Sequence, residues 1–194
     1  MDIREVTSVA DIILTGVAEK PDAEMLVIGD ERITWAEMRD RAGQVANALR
    51  ASGVGPQERI AYIDKNGAEY FELAFGCSLA NSVTVAVNWR LAPPEMAYIV
   101  NDAQSKVLVI HEEFADHLAA FEADLTHTDT ILVIGDHDTH DSYAGWRDAH
   151  SPDCEVTPSG GDDVSMQLYT SGTTGLPKGA QLTNDNFKTL FQVV

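Results

Sequence analysis

Apolar residues recur at helical spacing at Ile12, Ile13 and Val17, which predicts a helix over residues 8–19. Two short apolar runs follow at 25–28 and 32–34, and Gly29-Asp30 between them is a turn signal that predicts a β-hairpin. Thr34 with Glu37 three residues later makes a capping box. Trp35, Met38, Ala42, Val45 and Leu49 then repeat at helical spacing, and Gly53 suits the end of that helix. Residues 59–63 read as a strand, and Asn66 as the cap of a helix running through Tyr70, Leu73, Ala74 and Cys77. A β-branched strand at 83–87 precedes a helix whose first turn holds Pro94 and which reaches Asp102. Strand 107–110, helix 114–125 and strand 131–134 complete the alternation. Strands alternating with helices predict an α/β domain with a largely parallel sheet flanked by helices. Nearly unbroken apolar strands predict burial on both sheet faces.

Residues 135–163 break this rhythm. They are rich in Asp, Gly, Pro and Ser and read as a surface connection with a short helix over 143–149. A strand at 166–169, a loop, a strand at 179–182 and a helix starting at Asn184 or Asp185 follow. There is no internal repeat and no low-complexity tract.

The loop carries the candidate chemistry. Residues 169–179 read Tyr169-Thr170-Ser171-Gly172-Thr173-Thr174-Gly175-Leu176-Pro177-Lys178-Gly179. Gly172, Gly175 and Gly179 permit turns closed to other residues and let backbone N–H groups approach an anion. Ser171, Thr173 and Thr174 add hydroxyl donors, and Lys178 adds a positive charge. The order fails the G-x-x-x-x-G-K-[ST] phosphate loop, because Pro177 and Gly179 stand where a glycine and a hydroxyl residue belong. The dinucleotide pattern G-x-G-x-x-G fails too: its nearest approach, Gly53-Val54-Gly55, lies after a helix and before a strand. Composition alone leaves two readings open, a flexible hairpin connection and a polyphosphate cradle.

Charge narrows the classes of partner. A net charge of −18 over 194 residues argues against nucleic-acid binding and against electrostatic attachment to anionic lipid. Asp136-His137-Asp138-Thr139-His140-Asp141 holds metal-ligand types, but as an isolated polar loop it reads as solvated, and no metal site is assigned. His111, His117, His127 and His150 are scattered singly and read as surface or satisfied residues. Arg90 reads as the organiser of an ion pair rather than as a carboxylate binder. Tyr70, Phe71 and Phe75 read as core rather than as a pocket lining. Two cysteines, Cys77 in an apolar run and Cys154 in a polar linker, give no disulfide framework and fit a reducing cytosol. The N-terminus lacks a signal-peptide pattern, and no apolar run approaches the ~20 residues needed to span a bilayer.

The unbroken order from Tyr169 to Gly179 resembles the signature of the adenylate-forming (AMP-binding) superfamily of acyl-CoA synthetases, luciferases and non-ribosomal peptide adenylation domains. Ile33-Thr34-Trp35-Ala36-Glu37, Val85-Ala86-Val87-Asn88-Trp89-Arg90-Leu91 and Asp102-Ala103-Gln104-Ser105-Lys106-Val107-Leu108 are similar to further segments of that family. The resemblance covers nearly the whole chain and is closest to fatty-acyl-CoA synthetases. It departs at Ala86, where proline is usual, and at Asn184, where histidine is common.

The resemblance implies that residues 1–194 form the N-terminal part of the AMP-binding domain, with the remainder of the large domain and the C-terminal lid domain absent. It implies a carboxylate attacking the α-phosphate of ATP to give an acyl-adenylate, from which a thiol, usually coenzyme A, displaces AMP. Thr170, Ser171, Gly172, Thr173, Thr174, Gly175 and Lys178 match the family's phosphate-binding motif. An acidic chain that holds ATP must gather positive charge locally or use Mg2+, and Lys178 is one such charge. The family's catalytic residues are expected beyond residue 194, so the isolated chain is expected to lack ligase activity. The implied substrate is a small carboxylic acid, the compartment cytoplasmic, and the isolated piece a homo-oligomer or a domain-exchanged one through exposed apolar surface. Two alternatives stay open: an acyl-AMP or aryl-CoA ligase parent, and a non-catalytic fragment that binds a nucleotide or a partner.

Overall fold

The computed structural model describes residues 5–170 and 175–193. Helix α1 (Val9–Glu19) is capped by Ser8, whose hydroxyl accepts from the Asp11 amide. A hairpin of β1 (Glu24–Ile28) and β2 (Glu31–Thr34) turns at Gly29, whose φ of +57° is cheap for glycine. Helix α2 (Trp35–Ala51) opens on the predicted capping box: Thr34 Oγ1 accepts from the Glu37 amide at 3.2 Å, and the Glu37 carboxylate accepts from the Thr34 amide at 2.8 Å. There follow β3 (Arg59–Ile63), α3 (Ala68–Leu79), β4 (Val83–Ala86), α4 (Pro93–Asp102), β5 (Ser105–His111), α5 (Ala115–Phe121) and β6 (Thr130–Ile134). The chain continues through β7 (Asp141–Ser142), α6 (Tyr143–Asp148), β8 (Val164–Thr170), β9 (Lys178–Thr183) and α7 (Asn184–Val193).

Three elements differ from the periodicity. Helix α3 starts after Gly67 with no side-chain cap, so Asn66 lies outside it. The helix predicted over 114–125 is shorter, flanked by 3-10 turns at Glu112–Phe114 and Glu122–Asp124. Asn101 ends it, donating to the Asp124 carbonyl at 2.8 Å and accepting from the Thr126 amide at 2.9 Å. Strand β7 spans two residues, too short for any period to show.

Seven strands pair in the order β7-β6-β5-β3-β4-β8-β9. All pairs are parallel except β8 with β9, which is antiparallel. This confirms the α/β class with a largely parallel sheet. One face packs on α4 and α5 through Ala61, Ile63, Val85, Leu108, Met96 and Phe121. The other packs on α2, α3 and α6 through Ile60, Tyr62, Val107, Leu73 and Tyr143. Helix α1 and the β1–β2 hairpin cover the outer side of α2 and α3. Helices α2 and α3 approach closely at Gly76, where an added Cβ would lie 2.4 Å from Val45 Cγ1.

The stretch predicted as a surface connection is bound along α2. Arg39 donates to the Pro152 carbonyl, Asn47 to the carbonyls of Ser151 and Asp153, and Arg50 to the Glu155 carbonyl. These residues share one helical face with Gly43, where a Cβ would lie 2.0 Å from the Pro152 oxygen. At its far end this strap feeds β8. There Gln57 and Asn81, both with left-handed φ (63° and 55°), hold the strand start: Gln57 Oε1 accepts from the Val164 amide at 2.9 Å, and Asn81 Nδ2 donates to Asp163 at 3.2 Å. Asn184 is buried in the same knot, bonded to Ser165 and to the Gly160 carbonyl. At this departure from the family pattern the side chain fixes the base of the β8–β9 hairpin.

Candidate functional site

In an open parallel sheet, ligands bind beyond the carboxyl ends of the strands, at the point where strand order reverses. Here β4 lies on one side of β3 and β5 on the other, so the order reverses beside β3. Strand β4 pairs with β8 from Thr84 opposite Met166 to Ala86 opposite Leu168. Two residues further on, one strand delivers Asn88-Trp89-Arg90 and the other Thr170, so two candidate segments lie side by side at that edge.

Of the predicted phosphate-binding residues, Ser171, Gly172, Thr173 and Thr174 lie outside the described residues. Thr170 ends β8 and pairs with Lys178, the first residue of β9, so the motif spans the tip of an antiparallel hairpin. Gly175 has φ +154° and no atom within 4 Å of where a Cβ would stand, so its backbone conformation, not crowding, calls for glycine. Lys178 is exposed and makes no ion pair with a described residue. The flanks are tethered to α4: Tyr169 Oη donates to Asp102 Oδ2 at 2.6 Å, and Tyr98 Oη lies 3.3 Å from the Pro177 carbonyl oxygen. Burial, and then the bond to Asp102, hold the Tyr169 hydroxyl protonated well above the usual tyrosine range.

Beside the hairpin a cavity of about 720 Å³ opens at the ends of β3 and β4, lined by Tyr62, Asp64, Lys65, Tyr70, Trp89 and Arg90 among others. Tyr62 Oη lies 3.2 Å from Asp64 Oδ2, and burial followed by the Asp64 charge raises its pKa. Lys65 bridges to Glu113 after β5 at 2.7 Å, a bond that holds the Glu113 carboxyl below its ordinary range. Trp89 has two cations over its ring, Lys65 Nζ at 5.3 Å and Arg90 Cζ at 4.0 Å from its centre. The ion pair expected of Arg90 is not formed with any described residue; its guanidinium instead lies over the Trp89 ring. Tyr70 lines the cavity, while Phe71 and Phe75 pack into the core as expected.

The charged loop after β6 is locally satisfied: His137 Nδ1 accepts from backbone amides and His140 pairs with Glu122 at 2.8 Å. Among the described residues no three His, Cys, Asp or Glu side chains converge on a metal site. No described helix is long and apolar enough to cross a membrane. The reading of the sequence did not single out Asp64, Lys65 or the α4 tethers. The polar run Asp64-Lys65-Asn66 straight after a buried strand was the available signal. Nothing in the local sequence announces that Tyr98 and Asp102 meet residues 79 and 67 positions away.

A family model described as "AMP-binding enzyme" matches residues 15–194. Similar proteins include a fatty acid–[acyl-carrier-protein] ligase, ScoC, from Streptomyces coeruleorubidus, 34% identical over 87% of this chain and 31% of its own length. A feruloyl-CoA synthase from an Amycolatopsis species is 37% identical over 86% of this chain and 31% of its own. The crystal structure of the anthranilate CoA ligase AuaEII in complex with anthranoyl-AMP superposes with a TM-score of 0.87 at 28% identity, over 91% of this chain and 35% of that one. The chain thus spans about a third of the length of the relatives it matches.

Proposed function

Because this chain belongs to the AMP-binding enzyme family, we propose that it supplies the phosphate-holding part of an acid–thiol ligase, as the N-terminal part of an AMP-binding domain over residues 1–194. In a protein of the relatives' length, a carboxylate attacks the α-phosphate of ATP and pyrophosphate leaves. The thiol of coenzyme A then displaces AMP from the acyl-adenylate to give a thioester. The relatives act on both alkyl and aromatic acids by name, and a fatty acid remains the preferred substrate on the motif resemblance.

The carrying observation is the pairing of Thr170 with Lys178 at the carboxyl edge of the sheet, beside the cavity. In a chain of net charge −18, Lys178 and Arg90 are cations without a carboxylate partner among the described residues, which supports a role in meeting anionic reactants. Backbone and hydroxyl groups of Thr170, Ser171, Gly172, Thr173, Thr174 and Gly175 hold the β- and γ-phosphates, and Lys178 balances charge as pyrophosphate departs. Mg2+ brought with the nucleotide would share that neutralisation beside Lys178. Both cysteines are unpaired, in keeping with a cytoplasmic protein.

Calorimetric titration with Mg-ATP and with tripolyphosphate tests the reading. Binding that weakens at least tenfold in Lys178→Ala supports it, since a hydrogen bond to a charged group contributes about 1.5–3 kcal/mol. Equal binding by wild type and variant removes the motif from the site. Acyl-CoA formation by the chain alone would overturn the assignment of the catalytic residues to other parts of the relatives' length.

A further inference from the structure

We infer that Asp102, at the C-terminal end of α4, is a positioning residue that sets both ends of the phosphate motif through two tyrosines. This deepens the proposed function and rests on that reading. Tyr169, immediately before the motif's hydroxyl residues, donates to Asp102 Oδ2 at 2.6 Å, a short charge-assisted bond. Tyr98, one helical turn before Asp102, places its hydroxyl 3.5 Å from Asp102 Oδ1 and 3.3 Å from the carbonyl of Pro177, the residue before Lys178. One carboxylate therefore meets the end of β8 through Tyr169, and lies beside the Tyr98 hydroxyl whose single proton is shared between it and the carbonyl just before β9.

Two further observations bear on this. Gln167, buried on β8, donates to Tyr169 Oη at 3.0 Å, so the hydroxyl both donates to Asp102 and accepts from Gln167. Gly179, paired with Tyr169 across the strands, leaves the space the ring occupies: a Cβ there would lie 3.1 Å from Tyr169 Cζ and 2.6 Å from Gln167 Nε2. The last glycine of the motif thus has a mechanical reason. It lets Tyr169 lie over β9 and reach α4.

The variants Tyr98→Phe, Tyr169→Phe, Asp102→Asn and Gly179→Ala test this, with tripolyphosphate as the probe and the urea unfolding midpoint as the control. Tyr169→Phe and Asp102→Asn are expected to weaken tripolyphosphate binding about tenfold with the midpoint nearly unchanged, and the double variant to weaken it no more than either single. Additive losses, or unchanged affinity in both, overturn the inference. Wild-type chain that binds no tripolyphosphate overturns the proposed function instead. Hydrogen exchange then decides the tether by itself: faster exchange of a peptide covering 169–179 in Tyr98→Phe and Gly179→Ala upholds it, and wild-type rates refute it.

Discussion

Arg147 Nη1 of α6 lies 2.6 Å from Glu72 Oε2 of α3, and Glu72 is 1% exposed. The carboxylate's other oxygen meets Arg41 of α2 at 3.0 Å, and Tyr143 donates to Oε2 at 3.2 Å. A helix from the long connection is thereby fastened to the two helices beneath the sheet. A buried carboxylate is tolerable only because two guanidiniums and a phenol compensate it.

Removing one partner leaves an uncompensated charge in that setting. Glu72→Ala is expected to cost about 3–5 kcal/mol, and Arg147→Ala less, because Arg41 and Tyr143 still meet the carboxylate. Urea denaturation reads both directly. A loss below about 1 kcal/mol for Glu72→Ala would mean that water reaches the cluster and the bonds are ordinary surface pairs.

The strap along α2 makes a second expectation. Gly43→Ala places a Cβ 2.0 Å from a backbone oxygen, that of Pro152, which no side-chain rotation relieves. The strap must lift, with a loss of about 1–3 kcal/mol from overpacking. Hydrogen exchange at residues 151–157 should accelerate; protection equal to wild type counts against a seated strap.

Much of this frame was legible because periodicity reports burial. The apolar runs of β3, β5 and β6 and the stripe from Trp35 to Leu49 all occupy core positions, and the capping box at Thr34 forms as written. The motif order from Tyr169 to Gly179 gave the family. What stayed hidden is long-range and polar. Glu72 sits among apolar neighbours on α3, and nothing nearby marks its partners at positions 41, 143 and 147. Arg39, Asn47 and Arg50 look like a solvated helix face, yet they bind backbone carbonyls over a hundred residues away. Arg90 was expected to pair, but pairing depends on which carboxylate the fold brings near.

Alkaline pH probes two buried groups. Burial pushes the Cys77 thiol from its ordinary 9.0 up to about 11, and burial with the nearby Glu72 charge raises the Tyr143 phenol. A group whose folded pKa is raised adds stability that is complete below its unfolded pKa and is lost as pH climbs toward the folded value. Stability should therefore decline from about pH 9 for Cys77 and from about pH 10 for Tyr143. Cys77→Ala and Tyr143→Phe should each flatten part of that fall. At neutral pH a thiol reagent should modify Cys154, which is partly exposed, and leave Cys77 until unfolding. Modification of both thiols in the folded protein at equal rates would sink the account.

The sheet's β9 edge carries the last expectation. Strand β9 ends the strand order with one side unpaired among the described residues, and Leu168 on β8 and Leu190 on α7 are 36% and 58% exposed. A bare edge beside exposed leucines favours pairing with another chain. Helix α7 is amphipathic, and Phe187 on it is only half-buried. The isolated chain should therefore self-associate through this edge, and Leu190→Lys together with Leu168→Lys should return it toward monomer by placing charge where water must be excluded. Sedimentation velocity over a concentration series separates the outcomes. A monomer at every concentration in the unaltered chain defeats the expectation. Self-association that persists in the double variant moves the interface away from β9.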